Sequence, residues 1–310
     1  MAVSPLYGRC WLALAAVLAT GVAHAQERGS QEPKTLPALA HPEDPATPAK
    51  ELFGRVRVAS AGPTHTFGFY SRGCMAGAKA LPIDGDAWQV MRLSRNRNWG
   101  QPAMISFLES LARKARGQNI WPGLLVGDMA QPRGGPMITG HASHQIGLDA
   151  DVWLTPMPGH TLTRAEREET SATNLVREDW LDVDPQKWRP EHMALLKLAA
   201  SQPQVERIFV NPAIKKAICR DVQGDRKWLN KIRPMYGHNY HFHIRLACPA
   251  GEASCRAQDP VPAGDGCDST LAWWFSDEVL HPKPKPPGKK PQPITMAQLP
   301  NECRAVLNAP

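Results

Sequence analysis

Two segments of the chain alternate apolar and polar side chains with the period of a β-strand. In one, Leu148, Ala150, Val152 and Leu154 alternate with Asp149, Asp151 and Trp153; in the other, Phe242, Ile244 and Leu246 alternate with His241, His243 and Arg245. Successive side chains of a strand point to opposite faces, so each segment turns an aliphatic row to a core and a charged row away from it. A chain carrying both must build a sheet. If the two strands lie near one another, that sheet gathers Asp149, Asp151, His241 and His243 on one face.

The remaining pattern adds helices. Residues 101 to 116 place Ile105, Leu108, Leu111 and Ala112 at helical spacing and end on basic residues, which suits the helix dipole. Residues 191 to 200 follow Pro190, and residues 212 to 219 open on Pro212, a residue favoured in a first helical turn. Strands are expected at 88–93, 124–129 and 207–210. The expected class is α+β, a mainly antiparallel central sheet flanked by helices.

The N-terminus sets the compartment. Arg9 precedes an apolar run from Cys10 to Val22, and Ala23-His24-Ala25 places small residues where a signal peptidase cuts, so residues 1–25 are expected to leave. Six cysteines then remain, Cys74, Cys219, Cys248, Cys255, Cys267 and Cys303, an even number suited to three disulfides in an oxidising compartment. Spacing alone leaves their pairing open. No later apolar stretch approaches the roughly 18 residues a membrane span needs, so no transmembrane segment is expected after cleavage. Residues 26–50 read as a proline-rich polar tether, 51–280 as the folded domain, and 281–310 as a basic proline-rich tail that Cys303 anchors to the body. The net charge of +7 favours anionic surroundings. Nucleic acid is disfavoured as a partner, because export removes the chain from it and the basic run near residues 283 to 290 is proline-interrupted and free of aromatics.

Five of the ten histidines left after cleavage fall in two short segments, His141-Ala-Ser-His144 and His238-Asn-Tyr-His241-Phe-His243. Two imidazoles and a carboxylate are the ligands of a catalytic zinc that keeps a fourth position for water. Asp149, Asp151, His241 and His243, with His144 entering from the preceding turn, offer such a set without fixing which of them bind, and Gly147 allows the tight turn that brings His144 back over its own strand. His241 shares a strand face with His243 and suits general acid–base work. Asp149 either orients a histidine from behind the ligands or is an ordinary strand carboxylate. Arg133, Lys215, Lys231, Arg233 and Arg245 either attract an anionic substrate or are solvated charge. No Ser-x-x-Lys occurs in the mature chain, which argues against a serine acyl-enzyme.

His144-x6-Asp151 followed by His241-x-His243 resembles the LAS group of zinc peptidases, of Hedgehog/D,D-peptidase-like fold, and within it the penicillin-insensitive murein endopeptidases. The similarity runs through Ser143-His-Gln-Ile-Gly-Leu-Asp-Ala-Asp151, Ile208-Phe-Val-Asn-Pro-Ala-Ile-Lys215, Trp228-Leu-Asn-Lys-Ile-Arg-Pro234 and Gly264-Asp-Gly-Cys267. The resemblance implies a periplasmic zinc metalloendopeptidase that hydrolyses the D-alanyl to meso-diaminopimelyl cross-link between peptidoglycan stem peptides. It implies zinc on His144, Asp151 and His243, a basic catalytic role for His241, and disulfides Cys74–Cys303, Cys219–Cys267 and Cys248–Cys255. His141 stands where the family has another metal-site histidine, and otherwise is a polar turn residue. A second metal would use an Asp-x-x-His pair that here reads Asp179-Trp-Leu-Asp182, which leaves Asp179 either a ligand of that metal or a loop carboxylate. Other readings stay open: a zinc D,D-carboxypeptidase or dipeptidase, a non-catalytic wall-binding module of the same fold, and a zinc-scavenging protein, against which the absence of a long His/Asp-rich tract argues. Oligomeric state is not legible.

Overall fold

The structure, a computed structural model, describes residues 36–283 and 292–310. The signal segment and most of the proline-rich spacer lie outside the described residues.

Among the described residues ten strands form: β1 His65–Phe69, β2 Arg72–Ala76, β3 Lys79–Ala80, β4 Trp88–Val90, β5 Trp99–Gly100, β6 Leu124–Val126, β7 Asp149–Pro156, β8 Val205–Val210, β9 Ile232–Pro234 and β10 His241–Leu246. Six of them make the central sheet in the order β4-β6-β7-β10-β8-β9, while β1-β2 and β3-β5 are separate two-stranded pairs. The α-helices are α1 Ala49–Phe53, α2 Pro102–Gly117, α3 Arg164–Glu169, α4 Pro190–Ala200, α5 Pro212–Asp221, α6 Ser269–Ala272, α7 Asp277–Leu280 and α8 Glu302–Asn308.

The central sheet is mixed rather than mainly antiparallel. Its inner pairs β6-β7, β7-β10 and β10-β8 are antiparallel, but both edges, β4-β6 and β8-β9, are parallel. The reason is connectivity: α2 lies between β4 and β6 in the chain and α5 between β8 and β9, and a helical crossover returns the chain in the same direction.

The aliphatic rows do what their spacing dictates. Ala150, Val152, Leu154, Phe242, Ile244 and Leu246 are buried in one cluster with Leu108, Leu111 and Ala112 of α2, Leu195 and Leu196 of α4, and Ile214 and Ile218 of α5. Each fully buried Leu, Ile or Phe stabilises the fold by about 1.5–3 kcal/mol relative to exposure. Pro102, Pro190 and Pro212 each open a helix, and Asn211 caps α5 by accepting the Ala213 N–H at 2.9 Å.

Three disulfides staple this body: Cys74–Cys303, Cys219–Cys267 and Cys248–Cys255. The first carries α8 onto β2, and the buried Arg133 guanidinium completes that attachment by donating to the carbonyls of Val306 and Leu307. Among the described residues no helix is long and apolar enough to cross a membrane.

Candidate metal centre

The register of β7 and β10 builds the centre. His243 stands opposite Asp151, His241 opposite Trp153 and Arg245 opposite Asp149, so the charged rows of both strands meet on one sheet face. That face is not open to bulk solvent: Asp149, Asp151, His241, His243 and Arg245 are all buried. A segment running from β6 to β7 covers it and supplies His141 and His144. His144 adopts a left-handed backbone, φ 68°, and Gly147 follows at φ 72°. A side chain at Gly147 would collide with Met75 and the Gln101 backbone, so the turn that returns His144 over the sheet needs glycine there. A left-handed histidine is a strained choice, and such strain gathers at functional sites.

Asp151 is the hub. His243 Nδ1 lies 3.2 Å from Asp151 Oδ1 and His144 Nε2 3.5 Å from the same oxygen; His141 Nε2 and His241 Nε2 lie 3.4 and 3.6 Å from Oδ2. Donor atoms of His141, His144 and Asp151 all fall within 4.8 Å of one another, the spacing of a group that can hold a metal ion. Nδ1 of His144 is buried without a hydrogen-bond partner, while its Nε2 and Oδ1 of Asp151, equally buried, meet only each other and His243 at ion-pair distance. Buried polar atoms are normally satisfied, and a convergent set left short of hydrogen-bond partners fits a cation among them.

Behind this group stands Asp149. It accepts Arg245 Nε at 2.8 Å and Arg245 Nη2 at 3.1 Å, and it accepts the His144 backbone N–H at 3.0 Å. His243 Nε2 reaches Asp149 Oδ1 at 3.1 Å. The Arg245 guanidinium lies 4.0 Å from the centroid of the Tyr70 ring, which braces it from below. Burial would depress the His243 imidazolium, but Asp149 and Asp151 outweigh burial and push its pKa up to about 9. Burial wins at His241, which it pulls down to about 4 against the opposing charge of Asp151. With no cation bound, the two histidines of one strand therefore hold different protonation states at neutral pH.

Asp128 escaped the sequence reading. It lies just past β6, is buried, and accepts Arg97 Nη1 at 2.9 Å and Arg95 Nη1 at 3.0 Å, with His141 Nε2 at 3.1 Å. The two arginines hold its carboxyl well below the ordinary range despite burial, so it meets His141 as an anion. An acidic residue ending the apolar run Leu124-Leu-Val-Gly-Asp128 was the available signal. His238, counted in the histidine cluster without a role, packs its ring 4.9 Å from His241.

Asp179 is not brought into the group. Its carboxylate is exposed and accepts Arg177 at 2.7 and 3.2 Å and the Leu181 N–H at 2.9 Å, while Asp182 accepts Arg220. Among the described residues the only cluster spaced for a metal is the one around Asp151. Three of the basic residues weighed as substrate-facing charge are internal instead. Arg133 holds α8, Arg245 holds Asp149, and Lys215 donates to the carbonyls of Leu229 and Asp265.

Fold and site together define a disulfide-stapled mixed α/β protein whose described residues bring together a His/His/Asp group able to hold a metal ion. The family model for penicillin-insensitive murein endopeptidase matches residues 66–308. The chain is 45% identical to the penicillin-insensitive murein endopeptidase of Haemophilus influenzae, covering 80% of this chain and 84% of that one. It is 42% identical to the enzyme of that name from Klebsiella pneumoniae, over 80% and 87%. It is 41% identical to that from Yersinia enterocolitica, over 85% and 91%. The chain belongs to the penicillin-insensitive murein endopeptidase family.

Proposed function

We propose that this chain is an exported zinc endopeptidase of LAS-type fold. It hydrolyses amide cross-links between peptidoglycan stem peptides, the D-alanyl to meso-diaminopimelyl bond first among them. Family membership supports the murein substrate. The observation that carries the chemistry is the convergence of His141, His144 and His243 on the buried Asp151, with His144 Nδ1 buried and without a hydrogen-bond partner. His144, Asp151 and His243 would hold the ion, with His141 beside them. Bound zinc supplies Lewis-acid polarisation of the scissile carbonyl and a water whose pKa falls toward about 7.

The chain's own residues supply the rest. His241 lies on the same strand face two residues before His243, and burial favours its neutral imidazole, the form that has a nitrogen free to accept a proton. It takes the proton of the attacking water and delivers it to the departing amide nitrogen. Asp149 fixes the His243 ring and the His144 backbone, and Arg245 fixes Asp149. The proposed setting is the periplasm, reached by cleavage after Ala25. The oxidising conditions there suit the three disulfides.

Digestion of purified cross-linked muropeptide dimers, read by mass spectrometry with and without chelator, tests this. Monomers released only by metal-loaded protein support the reading. Intact dimers alongside removal of a single terminal D-alanine would replace it with a carboxypeptidase.

A further inference from the structure

Four aromatic rings from three separate stretches of chain meet in an uninterrupted run beside the centre. Trp180 packs edge-on to Tyr236 with ring centroids 6.4 Å apart, Tyr236 meets Trp274 at 5.3 Å, and Trp274 meets Trp273 at 5.3 Å. The ends of the run face outward: Trp180 is 37% exposed and Trp273 50%, with Leu181 and Met235 exposed beside them. The run is firmly held. Tyr236 donates its hydroxyl to the Trp274 carbonyl at 2.7 Å, Trp273 Nε1 donates to Glu278, and the Cys219–Cys267 disulfide ties the preceding chain to α5.

Trp180 is the telling member. Its φ is 60°, a left-handed conformation that glycine or asparagine would adopt at less cost. The turn around it is closed within the chain, by the Trp180 N–H to the Arg177 carbonyl at 3.1 Å and the Leu181 N–H to Asp179 at 2.9 Å, and it holds the indole part-exposed at the end of the run.

From this surface we infer a binding platform for the sugar rings of the glycan strand, which rests on the murein reading above. Charge selects this occupant. The basic groups named beside the rings are already paired within the chain, Arg177 with Asp179, and Arg220 and Lys216 with Asp182. Such a rim offers little to an anionic lipid or to a stem-peptide carboxylate. An uncharged pyranose has an apolar C–H face for the indoles and hydroxyls for the Asp179 and Glu278 carboxylates. Position agrees: the Tyr236 carbonyl lies 3.0 Å from His238 Nδ1, and the His238 ring packs against His241. A glycan strand seated on the platform presents its stem peptide to the buried group next to it.

The test separates this platform from the murein reading. Binding of tetra-N-acetylchitotetraose, followed by tryptophan fluorescence and titration calorimetry, needs no turnover. The wild type is expected to bind it, and Trp180→Gly with Trp273→Ala to weaken it by about tenfold or more. Trp180→Gly relieves the left-handed strain and is expected on its own to melt no lower than the wild type, so its saccharide affinity, measured beside that of the double variant, keeps lost binding distinct from lost folding. In parallel, the ratio of KM for sugar-free dimers to KM for disaccharide-bearing dimers is expected to exceed one and to fall toward one in the double variant. No saccharide binding by the wild type, or equal binding by the double variant, overturns the platform whatever the enzyme cleaves. Failure to cleave either dimer, with saccharide binding intact, overturns the endopeptidase reading and leaves the platform standing.

Discussion

His243 on β10 and Asp151 on β7 are direct cross-strand partners, and their side chains meet with Nδ1 3.2 Å from Oδ1. The sheet register itself therefore fixes two of the three proposed ligands, without reliance on a flexible loop. The substitution Asp151→Asn keeps the shape but removes the charge on which four histidines converge. Zinc measured by elemental analysis after dialysis is expected to fall from one equivalent to a trace, and dimer cleavage to disappear with it. Retention of a full equivalent would remove Asp151 from the ligand set.

His241 occupies the same face and has a separate proposed task. The variant His241→Ala is expected to retain zinc while kcat falls by about 10²–10⁴, the usual worth of a positioned acid–base group. Loss of metal together with activity would instead make His241 a ligand.

Much of this arrangement was legible from residue pattern, because a strand with one aliphatic face obeys a period of two whatever surrounds it. Leu148 to Leu154 and Tyr240 to Leu246 announced both their strands and their shared charged face. The parallel edges were not legible, since β4 and β9 are three residues each and their direction depends on the helices that precede their partners or themselves. Burial of the charged face was equally hidden. Alternation distinguishes two faces but does not reveal that a loop closes over the polar one. Asp128 was missed because its partners Arg95, Arg97 and His141 are distant in sequence and meet only once β4 and β6 pair.

That network yields its own expectation. Asp128 holds His141 by carboxylate while Arg95 and Arg97 hold Asp128. The change Asp128→Asn is expected to weaken zinc affinity by about 10–100-fold, as loss of an outer-shell carboxylate does. It also leaves two arginines short of their anion, at a cost of about 3 kcal/mol in urea unfolding. Unchanged affinity in a competitive chelator titration would restrict Asp128 to a structural role.

The Cys74–Cys303 link joins residues 229 positions apart and presses α8 against β2. Cys303→Ser is expected to lower stability by about 2–5 kcal/mol and to open the C-terminal residues to limited proteolysis before the rest of the chain. Arg133 then loses an ordered set of carbonyls at Val306 and Leu307. A variant that melts and resists protease like the wild type would show that the link is dispensable to the attachment.

Lys215 provides a pH signature away from the metal group. Its side chain is fully buried on α5, and burial, reinforced by Arg233, draws its pKa down to about 7 although Asp265 opposes the shift. A lysine with a depressed folded pKa binds fewer protons folded than unfolded between pH 7 and its ordinary value near 10.5. Stability therefore rises with pH across that window, and the full cost of burying the ammonium is present below it. Lys215→Met removes the titration, though it also leaves the Leu229 and Asp265 carbonyls without the donor they share. Relative to that variant, the wild type is expected to gain on the order of 2–3 kcal/mol between pH 7 and pH 9.5 in urea melts. Parallel pH profiles for the two proteins would mean that the amine keeps its proton in the folded chain, held by its two carbonyl acceptors strongly enough to offset burial.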